Sequence, residues 1–494
     1  MKVYIVEDNV ETLGVLRDFV RATDPAIEVK TFTSGNSLLE KDGRVQADLL
    51  ILGYDLGPSV TGTELLHYLQ WSNRISAKTH VVFISNTLEL ARRQAPLRFT
   101  HTRFIEKPIS IGHLQDALAW VSENQSVFSS VFYLIDKQKW QAAFNSLQLC
   151  KEHSPLHLQQ QAWLLECMLL LKLRAYAKVI RRYQLTKSYD WAGVIKLWAL
   201  MNLGQLKSGR HVFNGMAAHD AYYSSALALV NQLTVAAHTQ KQAFIPDSLK
   251  EGELSLFECE LKASLLVQKR GLNEALVYLH AKQKRAKRGS HQAYFYAVAV
   301  LKVCLLQVFK EPTSNRGESV VPHMQAALNI ALAQHNARDK ELNEILWPNV
   351  IEAFEAGTVT AASPTSLKIG ALVEDASPIS LLVRMYLHWV STGELCINQL
   401  EGAIDLIERQ GASGRAVCNQ LLLESMFSMM VADPRQQLRV TQSLATRLGK
   451  QGRYEQAAYA LSRALQIAPD SESLHKKLAW CCKHLEVKQF LADN

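Results

Sequence analysis

Four side chains near the start of the chain have types and positions suited to phosphoryl chemistry. Glu7 and Asp8 are adjacent carboxylates, Ser85 carries a hydroxyl and Lys107 an ammonium. Paired carboxylates hold a hard divalent cation, while a hydroxyl and an ammonium contact phosphoryl oxygens. Each closes a short strand-like run: residues 3–6 lead into Glu7-Asp8, 81–85 end on Ser85, and 104–106 precede Lys107. A further run, 48–54 (DLLILGY), is apolar almost throughout, as a strand buried on both faces should be, and passes through Gly53.

Those runs imply the elements that position the side chains. Residues 10–23 have helical periodicity in Val10, Leu13, Leu16, Phe19 and Val20, and 27–32 alternate. Leu38 and Leu39 begin a short helix, and 61–70, 87–94 and 111–123 read as helices. Five strand–helix units in succession predict an α/β fold, a five-stranded doubly wound parallel sheet of the flavodoxin-like kind. In such sheets the functional site lies at the C-terminal ends of the strands, where these side chains converge.

The blocks VYIVEDN, ADLLILGYDLGPSVTGTELL, VVFISN and RFIEKP resemble, in order and spacing, the motif blocks of the two-component response regulator receiver family. The resemblance covers residues 1–124. It implies that Glu7 and Asp8 are the acidic metal-binding pair, that Ser85 and Lys107 contact the phosphoryl group, and that Phe104 takes the place of the aromatic switch residue. It also implies an acceptor aspartate at the end of the third strand, and counting from Asp48 that position is Gly53. Glycine can be neither nucleophile nor ligand. The fallback acceptor is Asp55, on the same side of an extended chain but about 6–7 Å further along. Without the acceptor, Glu7 and Asp8 make at most a weak Mg²⁺ site, and no cofactor is expected to be required.

No strand-like alternation of any length follows residue 130. The expected domains are 1–125 and a helical 126–494, joined at 124–130 (NQSVFSS) and subdivided near 357–378, with a polar loop over 311–319. An apolar, small, apolar triplet recurs as Trp140/Ala143/Leu147, Leu173/Tyr176/Ile180, Leu206/Gly209/Phe213 and Leu272/Ala275/Leu279, in steps of 33 residues with one step skipped at Thr239 and with Tyr176 large where a small residue is expected. Such a period means stacked helix pairs. The segment LATRLGKQGRYEQAAYALSRALQIAPDS resembles the tetratricopeptide repeat: Leu444 and Ala445 on a first helix, Gly452 at the turn, Tyr454, Ala457 and Ala464 on a second, and Pro469 at its close. Leu400, Ala403 and Ile407 fit another copy. This resemblance implies an all-α superhelix whose concave surface takes up peptides or helices of other proteins.

Composition bounds the function. With 48% apolar and 20% charged residues the chain is globular rather than disordered. The net charge is +8, yet residues 1–124 carry 13 Lys and Arg against 15 Asp and Glu, so the basicity lies in the helical part. Lys282, Lys284, Arg285, Lys287 and Arg288, ending at Gly289, read as a helix C-terminus with its glycine cap. The eight cysteines form no C-x-x-C pair, which predicts free thiols rather than a metal site. No signal-peptide pattern and no spanning apolar run appear, so a cytoplasmic chain without membrane insertion is expected. No P-loop, H-E-x-x-H or G-x-S-x-G pattern occurs, so no enzyme is expected. The reading is a non-enzymatic signalling adaptor: a pseudo-receiver docks a histidine kinase or another regulator, and the repeats bind a protein partner. One alternative is a response regulator switched by phosphorylation at Asp55, with the repeats as output. The other is a nucleic-acid-binding regulator acting through the basic repeats, which basicity alone supports.

Overall fold

The computed structural model describes all residues except 40–43, 58–59, 72–73, 153, 204, 237–243, 247–248, 251–253, 287–290, 311–316, 334–341, 356–377, 393–399, 401–413, 432–433, 451, 453 and 494. The chain forms two compact units, Met1–Met201 with Lys207–Leu227, and Asn202–Leu206 with Ala228–Asn494.

The first unit opens with β1 (Lys2–Val6), α1 (Val10–Thr23), β2 (Glu28–Phe32), α2 (Gly35–Leu39), β3 (Leu49–Gly53), α3 (Gly62–Trp71), β4 (His80–Ser85), α4 (Leu88–Gln94), β5 (Thr102–Glu106) and α5 (Ile111–Asp136). The strands make one parallel sheet of order β2-β1-β3-β4-β5, the doubly wound α/β fold expected. Every residue of β3 and β4 is buried, because helices cover both faces of such a sheet. Val3, Ile5, Leu49, Ile51, Val82 and Ile84 meet Leu16 and Val20 of α1 and Leu114, Ala117 and Val121 of α5 in one core. Asn9 caps α1, its side chain accepting from Thr12 N at 2.8 Å.

Helix α5 does not stop where the sequence predicts a junction. Residues 124–130 lie inside an unbroken 26-residue helix, and the boundary expected at 125/126 falls within it. The polar run reads as a break, but its side chains bond back within the helix: Asn124 Nδ2 donates to Trp120 O and Ser126 Oγ to Glu123 O, each at 2.8 Å. The apolar stripe then continues through Phe128, Val131, Phe132 and Ile135, all buried.

Beyond α5 the described residues are helical. The first unit continues with α6 (Trp140–Glu152), α7 (Gln159–Lys172), α8 (Tyr176–Thr186), α9 (Ala192–Asn202), α10 (Leu206–Asn214) and the start of α11 (Tyr223–Ala236). The first turn of α7 and the residue before α11 lie against the start of β5 and the end of α4. Gln161 bonds to both Phe99 O (2.6 Å) and His101 N (2.8 Å). Tyr222 N donates to Arg92 O at 2.8 Å, and burial pushes its phenol, hydrogen-bonded to Thr102, well above the usual tyrosine range. Tyr222 is 2% exposed and holds φ at 62°, a left-handed backbone a bulky residue adopts only when its surroundings enforce it. Asp136, at the end of α5, accepts from Ser76 Oγ and from Ala77 N.

The second unit contains α12 (Leu256–Arg270), α13 (Leu272–Arg285), α14 (His291–Lys310), α15 (Gly317–Leu332), α16 (Trp347–Glu355), α17 (Pro378–Thr392), α18 (Gly414–Met430), α19 (Pro434–Lys450), α20 (Tyr454–Ile467) and α21 (Glu472–Asp493). Among the described residues one helix, over Gln292–Phe309, is long and apolar enough to cross a membrane, and 83% of that window is buried inside the protein. Across it, Lys302 Nζ meets Glu260 Oε1 of α12 at 2.6 Å, with both groups buried. The triplets Trp140/Ala143/Leu147 and Leu272/Ala275/Leu279 open α6 and α13, the second helices of the pairs α5–α6 and α12–α13, with Ala143, Leu147, Ala275 and Leu279 fully buried. Near the end, Ala445, Ala457, Ala464 and Leu474 form one core with Leu444 and Tyr454 partly buried against it. Gly452 turns the chain at φ 75°, and exposed Pro469 follows α20. Helix α13 ends at Arg285 with Ala286 as its cap, so Gly289 is not that cap and, with Lys287 and Arg288, lies outside the described residues. So do Thr239, Ala403, Ile407, Cys396, most of the loop expected over 311–319 and most of the division expected near 357–378.

Candidate functional site

Strand register assembles the site. Val6 lies opposite Leu52, which brings Glu7 level with Gly53. Gly53 pairs with Ile84, so Ser85 follows on the next strand, and Ser85 pairs with Glu106, directly before Lys107. The carboxylate, the glycine, the hydroxyl and the ammonium thus stand in a row along one sheet edge, as the sequence implies.

Their contacts differ from what a phosphoryl pocket would need. Lys107 Nζ donates to Glu7 Oε1 at 2.7 Å, with Glu7 only 1% and Lys107 23% exposed. Burial pushes the Glu7 carboxyl above the usual carboxylate range, and Lys107 opposes that shift by hydrogen bond and charge. A Cβ on Gly53 would lie 2.5 Å from Glu7 Oε2 and 3.1 Å from Leu56 Cδ2. The Glu7 carboxylate therefore fills the volume that a side chain at position 53 would take. Gly62 secures the same corner: a Cβ there would meet Gly53 O at 2.2 Å, so the loop after β3 closes onto the strand end only with glycine.

The remaining groups are turned onto their own loops. Ser85 Oγ donates to Thr87 O at 2.8 Å and accepts from Thr87 N at 3.2 Å. Asp8 is exposed. Asp55 is exposed and its Oδ1 accepts from Gly57 N at 3.1 Å, an Asx turn that holds the carboxylate within its own loop. Phe104 stacks on Phe83 with centroids 5.8 Å apart, and the Arg92 guanidinium lies over the Phe104 ring at 5.6 Å. The repeat residues Leu444, Ala445, Gly452, Tyr454, Ala457, Ala464 and Pro469 are structural positions of the second unit, remote in sequence from this row.

The family model for the response regulator receiver domain matches residues 3–119. This part of the chain is a receiver domain. A receiver domain makes the chain a two-component signalling regulator. No curated protein and no solved structure matches the chain. A receiver is expected to hold Mg²⁺ among its carboxylates, and the residues present do not fit one. Position 53 supplies no ligand, Glu7 is committed to Lys107, and of the acidic pair only the Asp8 carboxylate is open to solvent. Among the described residues no group of three or more potential ligands is assembled. The commitment of Glu7 was not legible in the sequence, since it depends on the void beside Gly53 and on a lysine one hundred residues away.

Proposed function

We propose that the chain is a non-enzymatic signalling adaptor whose receiver domain works without carrying a phosphoryl group. In this reading the receiver docks a histidine kinase or another regulator in one fixed state, and the tetratricopeptide-like helices recruit a second protein. The observation that supports it is the Glu7–Lys107 ion pair over Gly53. An acceptor carboxylate is absent, and the ammonium that would contact a phosphoryl group already has a carboxylate of its own. Nothing in the reading calls for Mg²⁺.

The test is exposure of the whole chain to a small phosphodonor with Mg²⁺, followed by intact-mass measurement. The expected result is no gain of a phosphoryl mass. A gain that hydroxylamine removes would overturn the reading, and its loss in Asp55→Ala would move the acceptor to Asp55.

A further inference from the structure

One stretch of this chain is strongly basic and almost free of acids. Residues 167–219 hold nine Lys and Arg and a single acid, Asp190, so this stretch alone matches the net +8 of the whole chain. Helix α8 (YAKVIRRYQLT) contains no acid at all.

The cations are arranged rather than scattered. Lys178, Arg181 and Leu185 are exposed and follow helical spacing, so they form one line along α8, with Leu185 60% exposed. Arg182 flanks the line. Its Nε lies 2.9 Å from Glu166 Oε1, and the same buried carboxylate also receives Lys151, so two cations share one counterion. Both cations lie over the Trp163 ring, at 3.1 Å for Lys151 and 5.6 Å for Arg182. On the other side of α8, Lys196 of α9 stands 4.2 Å from the Tyr183 ring centroid, away from this line. Burial lowers its pKa, and no carboxylate contributes to that shift.

We propose that this exposed face of α8 is the docking surface for an acidic segment of a partner protein, one whose carboxylates alternate with apolar side chains. The proposal rests on the reading of the helices as protein-binding and specifies where and by what chemistry they bind. Leu185 in the line of cations favours a protein over a nucleic acid, since a phosphodiester backbone has no apolar group to place there. The rings of Trp163 and Tyr183 are half-buried and already carry cations, so they offer no open platform for a stacked base.

The experiment uses the full chain and two labelled probes, a peptide of mixed glutamate and leucine and an oligothymidylate, in fluorescence anisotropy across a salt series. The peptide is expected to bind at low salt and to weaken as salt rises. Lys178→Glu with Arg181→Glu should reduce its affinity about tenfold or more, and Leu185→Ala a few-fold. Melting should not change, because these side chains are exposed and make no ion pair among the described residues. Equal peptide affinity for parent and double variant, or no peptide binding at all, overturns the proposal. Tighter binding of the oligothymidylate, indifferent to Leu185→Ala, replaces it with a nucleic-acid site. Failure of the broader reading has a different signature: cross-links from a captured partner would all fall on residues 1–119, whatever the peptide does.

Discussion

Substituting Gly53 tests the packing of the receiver pocket directly. In Gly53→Ala the new Cβ would stand 2.5 Å from Glu7 Oε2, so that oxygen must withdraw by about 1 Å to reach ordinary contact. Its other oxygen is held by Lys107 at 2.7 Å, so withdrawal stretches the ion pair. Losing one partner of a buried pair costs about 3–5 kcal/mol. Lys107 is partly exposed and can follow its partner, which reduces the expected loss to about 2 kcal/mol. For a unit of this size that lowers the melting temperature by about 4–8 °C. Gly53→Asp should cost more in metal-free buffer, because a second carboxylate enters beside Glu7. It should recover with Mg²⁺ by ligand linkage, which the parent should not. Adding Glu7→Asp shortens the obstructing side chain by one methylene and should make the pair of changes milder than their sum. The assay is thermal unfolding followed by circular dichroism, with and without Mg²⁺. A neutral Gly53→Ala, additive with Glu7→Asp, would show that Glu7 does not occupy this volume.

Three further outcomes are expected. Tyr222→Ala should destabilise the first unit by about 3–5 kcal/mol, and a fragment ending at 227 should melt well above one ending at 125; equal melting would mean that the β5 edge needs no cover. His80 is buried between the rings of Trp120 and Phe132, and burial lowers its pKa to about 3 from 6.5. The unfolded chain therefore binds this proton first. Stability is complete above pH of about 6.5 and falls as pH drops toward 3, by up to about 1.4 kcal/mol per pH unit, a slope that urea midpoints should show flattened in His80→Gln. Lys302→Met should cost about 3–5 kcal/mol by stranding Glu260, and Glu260→Leu added to it should restore most of the loss; unfolding in denaturant would expose a failure of that recovery.

The α/β order of the receiver and its pocket residues were legible because each rests on a local pattern. Apolar runs identify the strands, and the polar residue after each run lands on one edge by strand polarity. The vacancy at Gly53 was legible for the same reason. What fills it was not, since Glu7 turns inward only because β1, β3 and the Lys107 loop meet there. The length of α5 was misjudged from composition: Asn, Gln and Ser in succession resemble a linker unless their bonds to the preceding turn are known. The cover that Gln161 and Tyr222 place over β5 joins residues too far apart in sequence for any period to reveal.

The unbroken α5 has a consequence for how such chains can be assembled from parts. The receiver core reads one side of this helix at Leu114, Ala117 and Val121, and the helical core reads it again at Phe128, Val131, Phe132 and Ile135. Two modules joined in this way are coupled in rotational phase. One residue inserted after Glu123 turns everything downstream by about 100° and advances it by about 1.5 Å. A different receiver grafted onto these helices would have to match them in phase as well as in length, which a loop would never require.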